Sequence, residues 1–294
     1  MFYGIADKMW KDAGGFESTV DSPDPIGDTA KVFGLGTKSG IDLPNEATGR
    51  VASRAFKQAN WESRKDAWCA NAVAGYPETR KTNPKLADFY TALDKENCAD
   101  GFRWREGDAL NAAIGQGDTA VTPLQMAMVY ATIANGGKLY APQVAKAIVN
   151  SNGEVVQDIA PKLRAQVDVP ADTIKFLQRA LPGVTTDGSG ATPFAGFPLA
   201  QIPVASKTGS AQVTGDKAST SWFASYAPAN KPKYAVVMMV TQGGTGSGTS
   251  GPSVRKIYEA LFGVGRPSVF EGGVPSDALP VIREDGTPVT PKDS

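Results

Sequence analysis

The amino-acid sequence predicts an α+β fold, an antiparallel sheet with flanking helices. Three observations carry that prediction: helix-like segments come first, a run of three strands joined by short turns follows, and one further helix closes the run. No linker divides these segments, so a single domain over residues 1–262 is expected, with an insertion at about 61–107 and a Pro- and Gly-rich, flexible tail over 263–294.

Residues 2–11 read as a short helix with Phe2, Ile5 and Met9 on one face. No capping residue precedes it, and domains rarely begin inside a helix, so the domain is expected to extend upstream and to be incomplete at its N-terminus. Gly14–Thr48 is rich in Gly, Pro and Asp and reads as loops with short pieces of structure. Residues 61–107 are polar, contain Cys69 and Cys98, and read as irregular. A clear helix is predicted over Pro123–Asn135, with Thr122 as N-cap, Pro123 in the first turn and Gly136-Gly137 as its stop. Leu124, Met126, Met128, Val129 and Ile133 make it apolar on nearly all sides, which marks a buried central helix.

Val144–Val156 has the pattern of a hairpin across Asn150-Ser151-Asn152-Gly153. Asp172–Leu181 is amphipathic, with Ile174, Leu177 and Leu181 at helical spacing. The three strands are predicted at about Pro203–Val213, Ser221–Ala227 and Tyr234–Thr241, with turns at Gly215-Asp216 and Ala229-Asn230. The closing helix fits Pro252–Phe262.

Composition narrows the chemistry. The 294 residues are 41% hydrophobic and carry 30 basic against 30 acidic side chains. A zero net charge argues against a nucleic-acid partner, which needs a basic surface to displace counterions from phosphates. No stretch approaches the ~20 apolar residues that span a bilayer, and the start lacks the basic-then-apolar pattern of a signal peptide. There is no histidine. That removes Ser-His-Asp and Cys-His mechanisms and the imidazole zinc sites, while two cysteines are too few for a four-thiolate metal site. Acyl-transfer chemistry would have to use Lys, Asp, Glu or Tyr for proton transfer, and Ser-Lys enzymes are among the designs that remain.

Lys207-Thr208-Gly209-Ser210 lies in the first strand of the meander. Its lysine offers positive charge to an anionic substrate and disfavours protonation of neighbouring bases. The hydroxyls of Thr208 and Ser210 can hold a carboxylate, Gly209 permits close approach of a substrate backbone, and an extended peptide could pair with the strand as an added edge.

Other segments agree with this motif in order and spacing. They are Gly34-Leu35-Gly36 with Ser39-Gly40-Ile41-Asp42-Leu43-Pro44, Ile114-Gly115-Gln116-Gly117 with Thr122-Pro123-Leu124-Gln125, Ala134-Asn135-Gly136-Gly137, and Trp222-Phe223-Ala224-Ser225-Tyr226-Ala227-Pro228. Together with Lys-Thr-Gly they resemble the transpeptidase domain of class B penicillin-binding proteins, particularly the elongation type called penicillin-binding protein 2, over roughly residues 1–262. The resemblance implies the transpeptidase fold shared with serine β-lactamases and a location on the extracytoplasmic face of the bacterial membrane. It also implies acyl transfer that cross-links peptidoglycan stem peptides through a serine acyl-enzyme. Lys207, Thr208, Gly209 and Ser210 would bind the carboxylate of substrate or β-lactam, with Lys207 and Ser210 serving catalysis and the Ser210 N–H acting as one oxyanion donor. No metal or organic cofactor is implied. Partners would be stem peptide, β-lactams and other cell-wall synthesis proteins.

One departure stands out. In the family, Ser-x-x-Lys and Ser-x-Asn precede a Phe-Tyr pair, and here Phe2-Tyr3 open the chain. The nucleophile is therefore expected upstream of Met1, and the chain alone is expected to be inactive; the alternative is a catalytically dead fragment that binds ligands or partners weakly. The chain contains no Ser-x-Asn, and its one Ser-x-x-Lys, Ser253-Val254-Arg255-Lys256, opens the closing helix rather than a helix before Lys-Thr-Gly. Gly246-Ser247-Gly248-Thr249-Ser250-Gly251 matches a dinucleotide-binding Gly-x-Gly-x-x-Gly with Glu271 beyond it, but no second strand of a βαβ unit follows, and a flexible connector is the better reading. Cys69 and Cys98 are either two unrelated thiols or, in the oxidising setting that the resemblance implies, a disulfide. Trp61, Trp68 and Trp104 read as packing for the insertion.

Overall fold

The computed structural model describes residues 1–213 and 215–265. Most of the tail expected over 263–294 lies outside these; the described part is a turn in which Gly263, at φ 67°, caps the last helix. The chain forms two compact units, Met1–Lys31 with Gly49–Val121 and Val32–Thr48 with Thr122 onward, where the sequence suggests one domain. The chain passes between them at 31/32, 48/49 and 121/122, and such interleaving leaves no single linker for composition to reveal.

The first unit is helical: α1 (Phe2–Asp12), α2 (Pro25–Val32, which ends at the boundary), α3 (Arg54–Ala74), α4 (Pro77–Thr82), α5 (Pro84–Asp100) and α6 (Glu106–Ala112). On α1 the buried side is Ala6, with Trp10 packed on the cluster of Ala52, Trp104 and Ala109 and donating its indole N–H to the Trp104 carbonyl at 2.9 Å. Phe2, Tyr3 and Ile5 stay exposed. The region read as irregular, 61–107, is instead mostly helix. Its start signals are present: Ser53 accepts from the Phe56 N–H, and Asn83, just before Pro84, accepts from the Leu86 N–H, both at 3.1 Å. What hides the helices is the lack of an apolar stripe. Only Arg54 in α3, and Ala87 and Asp94 in α5, are fully buried. The two helices pair through the Cys69–Cys98 disulfide, with Cα atoms 4.9 Å apart, and through Trp61, whose ring sits 5.0 Å from Phe102 and whose N–H donates to the Asn97 carbonyl at 3.0 Å.

The second unit contains α7 (Pro123–Ala134), β1 (Lys138–Tyr140), β2 (Ala147–Val149), β3 (Val155–Asp158), β4 (Leu163–Gln166), α8 (Ala171–Ala180), α9 (Gly183–Thr186), β5 (Ala205–Ala211), β6 (Thr220–Ala227), β7 (Tyr234–Val240) and α10 (Gly251–Phe262). Helix α7 begins with a reciprocal capping box: the Gln125 N–H donates to Thr122 Oγ1 and the Thr122 N–H donates to Gln125 Oε1, both at 3.1 Å. The buried Gln125 amide also donates to the Thr37 and Thr48 carbonyls at 2.8 Å, tying the glycine-rich segment before residue 49 to the helix start. Strands β2 and β3 form the hairpin across Asn150–Gly153, whereas the β1–β4 pair has no counterpart in the sequence reading. Strands of three and four residues, largely exposed and with a register shift, leave too little alternation to read.

The functional frame is the antiparallel sheet β5-β6-β7. Its register pairs Lys207 with Ala224 and Gly209 with Trp222, and then Ala224 with Val237. Alternation along the central β6 divides the core in two. Ala224 and Tyr226, with Ala205 of β5, pack with Met128, Tyr130 and Ile133 of α7 and Ile174 of α8. Phe223 and Ala227, with Val204, pack with Phe194 and with Val254 and Tyr258 of α10. Among the described residues the buried Tyr226 hydroxyl has no hydrogen-bond partner, and burial pushes its pKa up to about 12, so it stays neutral in the core.

Candidate active site

The site is built on the outer edge of β5. Among the described residues no strand pairs with β5 on the side away from β6. Hydrogen bonds give the alternation: the Pro203 carbonyl accepts from the Ala229 N–H at 2.6 Å, while the Ser206 N–H points the other way and donates to the Leu181 carbonyl at 3.2 Å. In an unbroken antiparallel register, residues 205, 207 and 209 therefore bond to β6, and the backbone groups of 206, 208 and 210 face the outer edge.

Side chains alternate as well. Lys207 and Gly209 lie on the α7 side, and Thr208 and Ser210 on the α10 side, so the motif wraps both faces of one edge. Lys207 is exposed, forms no ion pair among the described residues, and bends its ammonium group over the edge to the Thr208 carbonyl at 2.9 Å. The Thr208 hydroxyl lies 2.7 Å from the hydroxyl of Ser189, and Ser210 Oγ accepts from the Gly246 N–H at 3.4 Å. A side chain at Gly209 would press its Cβ to within 3.2 Å of Trp222 Cβ. Glycine thus keeps the strand close to its neighbour. The result is a cation, hydroxyls and outward backbone groups along one open edge, which can receive the carboxylate and backbone of an extended peptide.

The segment Gly246–Gly251 is not the flexible connector that its composition suggests. Gly246–Ser250 forms a π-helical turn seated on the β5–β6 ladder, where a Cβ on Gly246 would lie 2.2 Å from the Trp222 carbonyl oxygen. Ser250 is buried with its hydroxyl 2.7 Å from that of Ser221, and Thr245 Oγ1 accepts from the Gly248 N–H at 3.1 Å. These glycines serve close packing. The N–H groups of Gly246 and Gly248 are engaged inside the protein, which removes the phosphate cradle that a dinucleotide site needs.

Ser253 lies in the first turn of α10, and its hydroxyl donates to the Thr249 carbonyl at 3.3 Å. Helix α10 packs on the Phe223 face of the sheet, opposite the face to which Lys207 belongs. The structure does not bring Ser253 and Lys207 together. It does bring in Ser189, which sequence reasoning missed. Asp187-Gly188-Ser189-Gly190 carries only turn residues, and nothing in that pattern says which strand the turn will touch.

A family model described as the penicillin binding protein transpeptidase domain matches residues 21–259. The chain belongs to that family. Among curated relatives, the peptidoglycan D,D-transpeptidase MrdA of Haemophilus influenzae is 26% identical over 86% of this chain and 35% of its own length. Penicillin-binding protein 2A of Bacillus subtilis is 31% identical over 71% of this chain and 24% of its own. A solved structure of penicillin-binding protein 2 from Helicobacter pylori superposes with a TM-score of 0.59 at 24% identity, covering 90% of this chain and 38% of that one, which shows the shared fold. The chain thus spans only about a third of the length of the transpeptidases it matches, 35% in the MrdA case. Within this transpeptidase family match fall the whole β5–β6–β7 sheet, Ser189 and the turn at Gly246. No helix among the described residues is long and apolar enough to cross a membrane.

Proposed function

We propose that this chain acts in peptidoglycan D,D-transpeptidation, with β5 as the strand that receives the acyl donor. The carrying observation is the exposed Lys207 ammonium, without an ion-pair partner among the described residues, on an open strand edge beside the Thr208 hydroxyl. In the reaction a serine hydroxyl attacks the D-Ala-D-Ala amide, loses its proton to a base, and expels the terminal D-alanine. The acyl group then passes to an amine of a second stem peptide. Lys207, Thr208 and Ser210 hold the donor's carboxylate, and the N–H of Ser210 supports the oxyanion. A β-lactam carboxylate takes the same place. The substrates place the activity on the extracytoplasmic face of the bacterial membrane, alongside other cell-wall synthesis proteins, with no role for nucleic acid or an organic cofactor.

The donor site is tested by titrating the isotope-labelled chain with diacetyl-Lys-D-Ala-D-Ala and following backbone amide shifts. Shifts are expected to concentrate at residues 207–210, and Lys207→Ala is expected to weaken binding about tenfold, the scale of a charge-assisted hydrogen bond. An unchanged affinity in that variant would remove the reading.

The nucleophile is a separate matter. With Ser253 on the face away from Lys207, no Ser-x-x-Lys of this chain faces the site, so fluorescent penicillin is expected to leave no label on the 294-residue chain after a denaturing gel. A labelled band that disappears in Ser253→Ala would assign the nucleophile to α10 instead.

A further inference from the structure

We propose that Ser189 closes the donor groove and reads the free carboxyl end of the peptide, acting as a positioning residue through Thr208; this rests on the transpeptidase reading above. The segment from Leu181 to Gly190 runs along the outer edge of β5 and is pinned to it in three steps. The Leu181 carbonyl accepts from the Ser206 N–H at 3.2 Å. The buried Thr185 hydroxyl donates to the Val204 carbonyl at 2.6 Å. Ser189 Oγ meets Thr208 Oγ1 at 2.7 Å. Residues 204, 206 and 208 are the outward-facing positions of the strand, so this segment occupies the backbone edge at 204 and 206 and reaches the side chain of Thr208.

Ser189 itself is held in place by its neighbours. A Cβ on Gly188 would fall 2.9 Å from Val184 Cα, and one on Gly190 would fall 2.9 Å from the Val184 carbonyl. Both glycines press the turn onto α9, which Thr185 anchors in turn, while Ser189 stays exposed at the tip.

Direction supplies the rest. A peptide added antiparallel to β5 enters beside Ala211 and runs toward Ala205, so its C-terminus approaches Thr208. Just beyond it, at Ser206, the edge is already occupied, and the chain of the ligand must end. The chemistry at that stop suits a carboxylate. Either hydroxyl can donate in the Ser189–Thr208 hydrogen bond; an anion beside Thr208 favours the orientation in which Ser189 donates to Thr208 Oγ1 and the Thr208 proton is donated to the ligand, while Lys207 supplies the charge. A C-terminal amide accepts with one uncharged carbonyl oxygen and turns its N–H groups to the same place, so it gains less from that orientation than a carboxylate.

The test repeats the shift titration with two ligands, diacetyl-Lys-D-Ala-D-Ala and its C-terminal amide, against the wild-type chain, Ser189→Ala, Ser189→Thr and Lys207→Ala. Ser189→Ala is expected to weaken the acid about fivefold and the amide by no more than about twofold, narrowing the acid-to-amide preference. Ser189→Thr keeps the hydroxyl and is expected to stay within about twofold of wild type. Equal losses for acid and amide would mean that the substitution merely loosens the turn, and would overturn the inference. So would an unaltered acid affinity in Ser189→Ala while Lys207→Ala still weakens it, an outcome that leaves the transpeptidase reading in place. No shifts at 207–210 with either ligand would overturn both.

Discussion

Replacing Gly246 with alanine is expected to destabilise the second unit by about 3 kcal/mol or more, on the scale of an overpacked core with no room to relax. The added Cβ would lie 2.2 Å from the Trp222 carbonyl oxygen, 2.7 Å from the Gly209 carbonyl oxygen and 2.9 Å from the Gly209 nitrogen. All three are backbone atoms of the β5–β6 ladder, and no rotamer change can move them. Either the turn lifts off the sheet or the ladder opens at Gly209-Trp222. Both release the Gly246 N–H from Ser210 and disturb the strand that carries Lys207. Gly248→Ala is the control in the same turn. Its Cβ meets only Thr245 Oγ1, at 2.9 Å, a hydroxyl that can rotate away, so a loss of about 1 kcal/mol is expected there. Urea unfolding of the two variants measures the difference. Equal stabilities would mean that the turn is not seated on the ladder as described.

The contrast between these glycines also explains what could be read from sequence. The meander was legible because alternating apolar residues and turn pairs are local: Ser221–Ala227 and Tyr234–Thr241 were expected where Thr220–Ala227 and Tyr234–Val240 stand. The start of α7 was legible for the same reason, since Thr122, Pro123 and Gln125 cap the helix from within four residues. Gly246 was not, because its role depends on carbonyls more than twenty residues earlier in the chain, at Trp222 and Gly209. Read locally, a Ser/Gly-rich run looks mobile; packed against a sheet, the same run is among the least replaceable segments. Ser189 illustrates the complementary case. Lys207-Thr208-Gly209-Ser210 marks a candidate anion site through its residue types. The partner of Thr208 is a serine in a turn of no special composition, placed only by the pinning of the preceding helix to the strand edge.

The helical hairpin of the first unit yields the second large effect. Replacing both Cys69 and Cys98 with serine is expected to destabilise that unit by about 3.5 kcal/mol, from the loop-closure entropy of a separation of 29 residues. The two helices lie close along their length, but the apposed side chains bury little apolar surface to offset the loss. Few side chains of α3 and α5 are fully buried, and Phe89 and Leu93 of α5 remain exposed. Other ties to these helices include the Trp61 bond to Asn97, the Trp61–Phe102 ring contact, the hydrogen bond from the Tyr76 hydroxyl to Asp94, and the ion pair of Arg80 with Asp88. Hydrogen exchange read by mass spectrometry separates the consequences. Peptides from α3 and α5 are expected to exchange faster by roughly 300-fold in the double variant, the ratio that about 3.5 kcal/mol implies, whereas peptides from β5–β7 keep their protection. In the wild-type chain, a thiol reagent added after denaturation without reductant is expected to label neither cysteine. Labelling of both, or unchanged exchange across α3 and α5 in the variant, would mean that these helices are held by their packing and not by the cross-link.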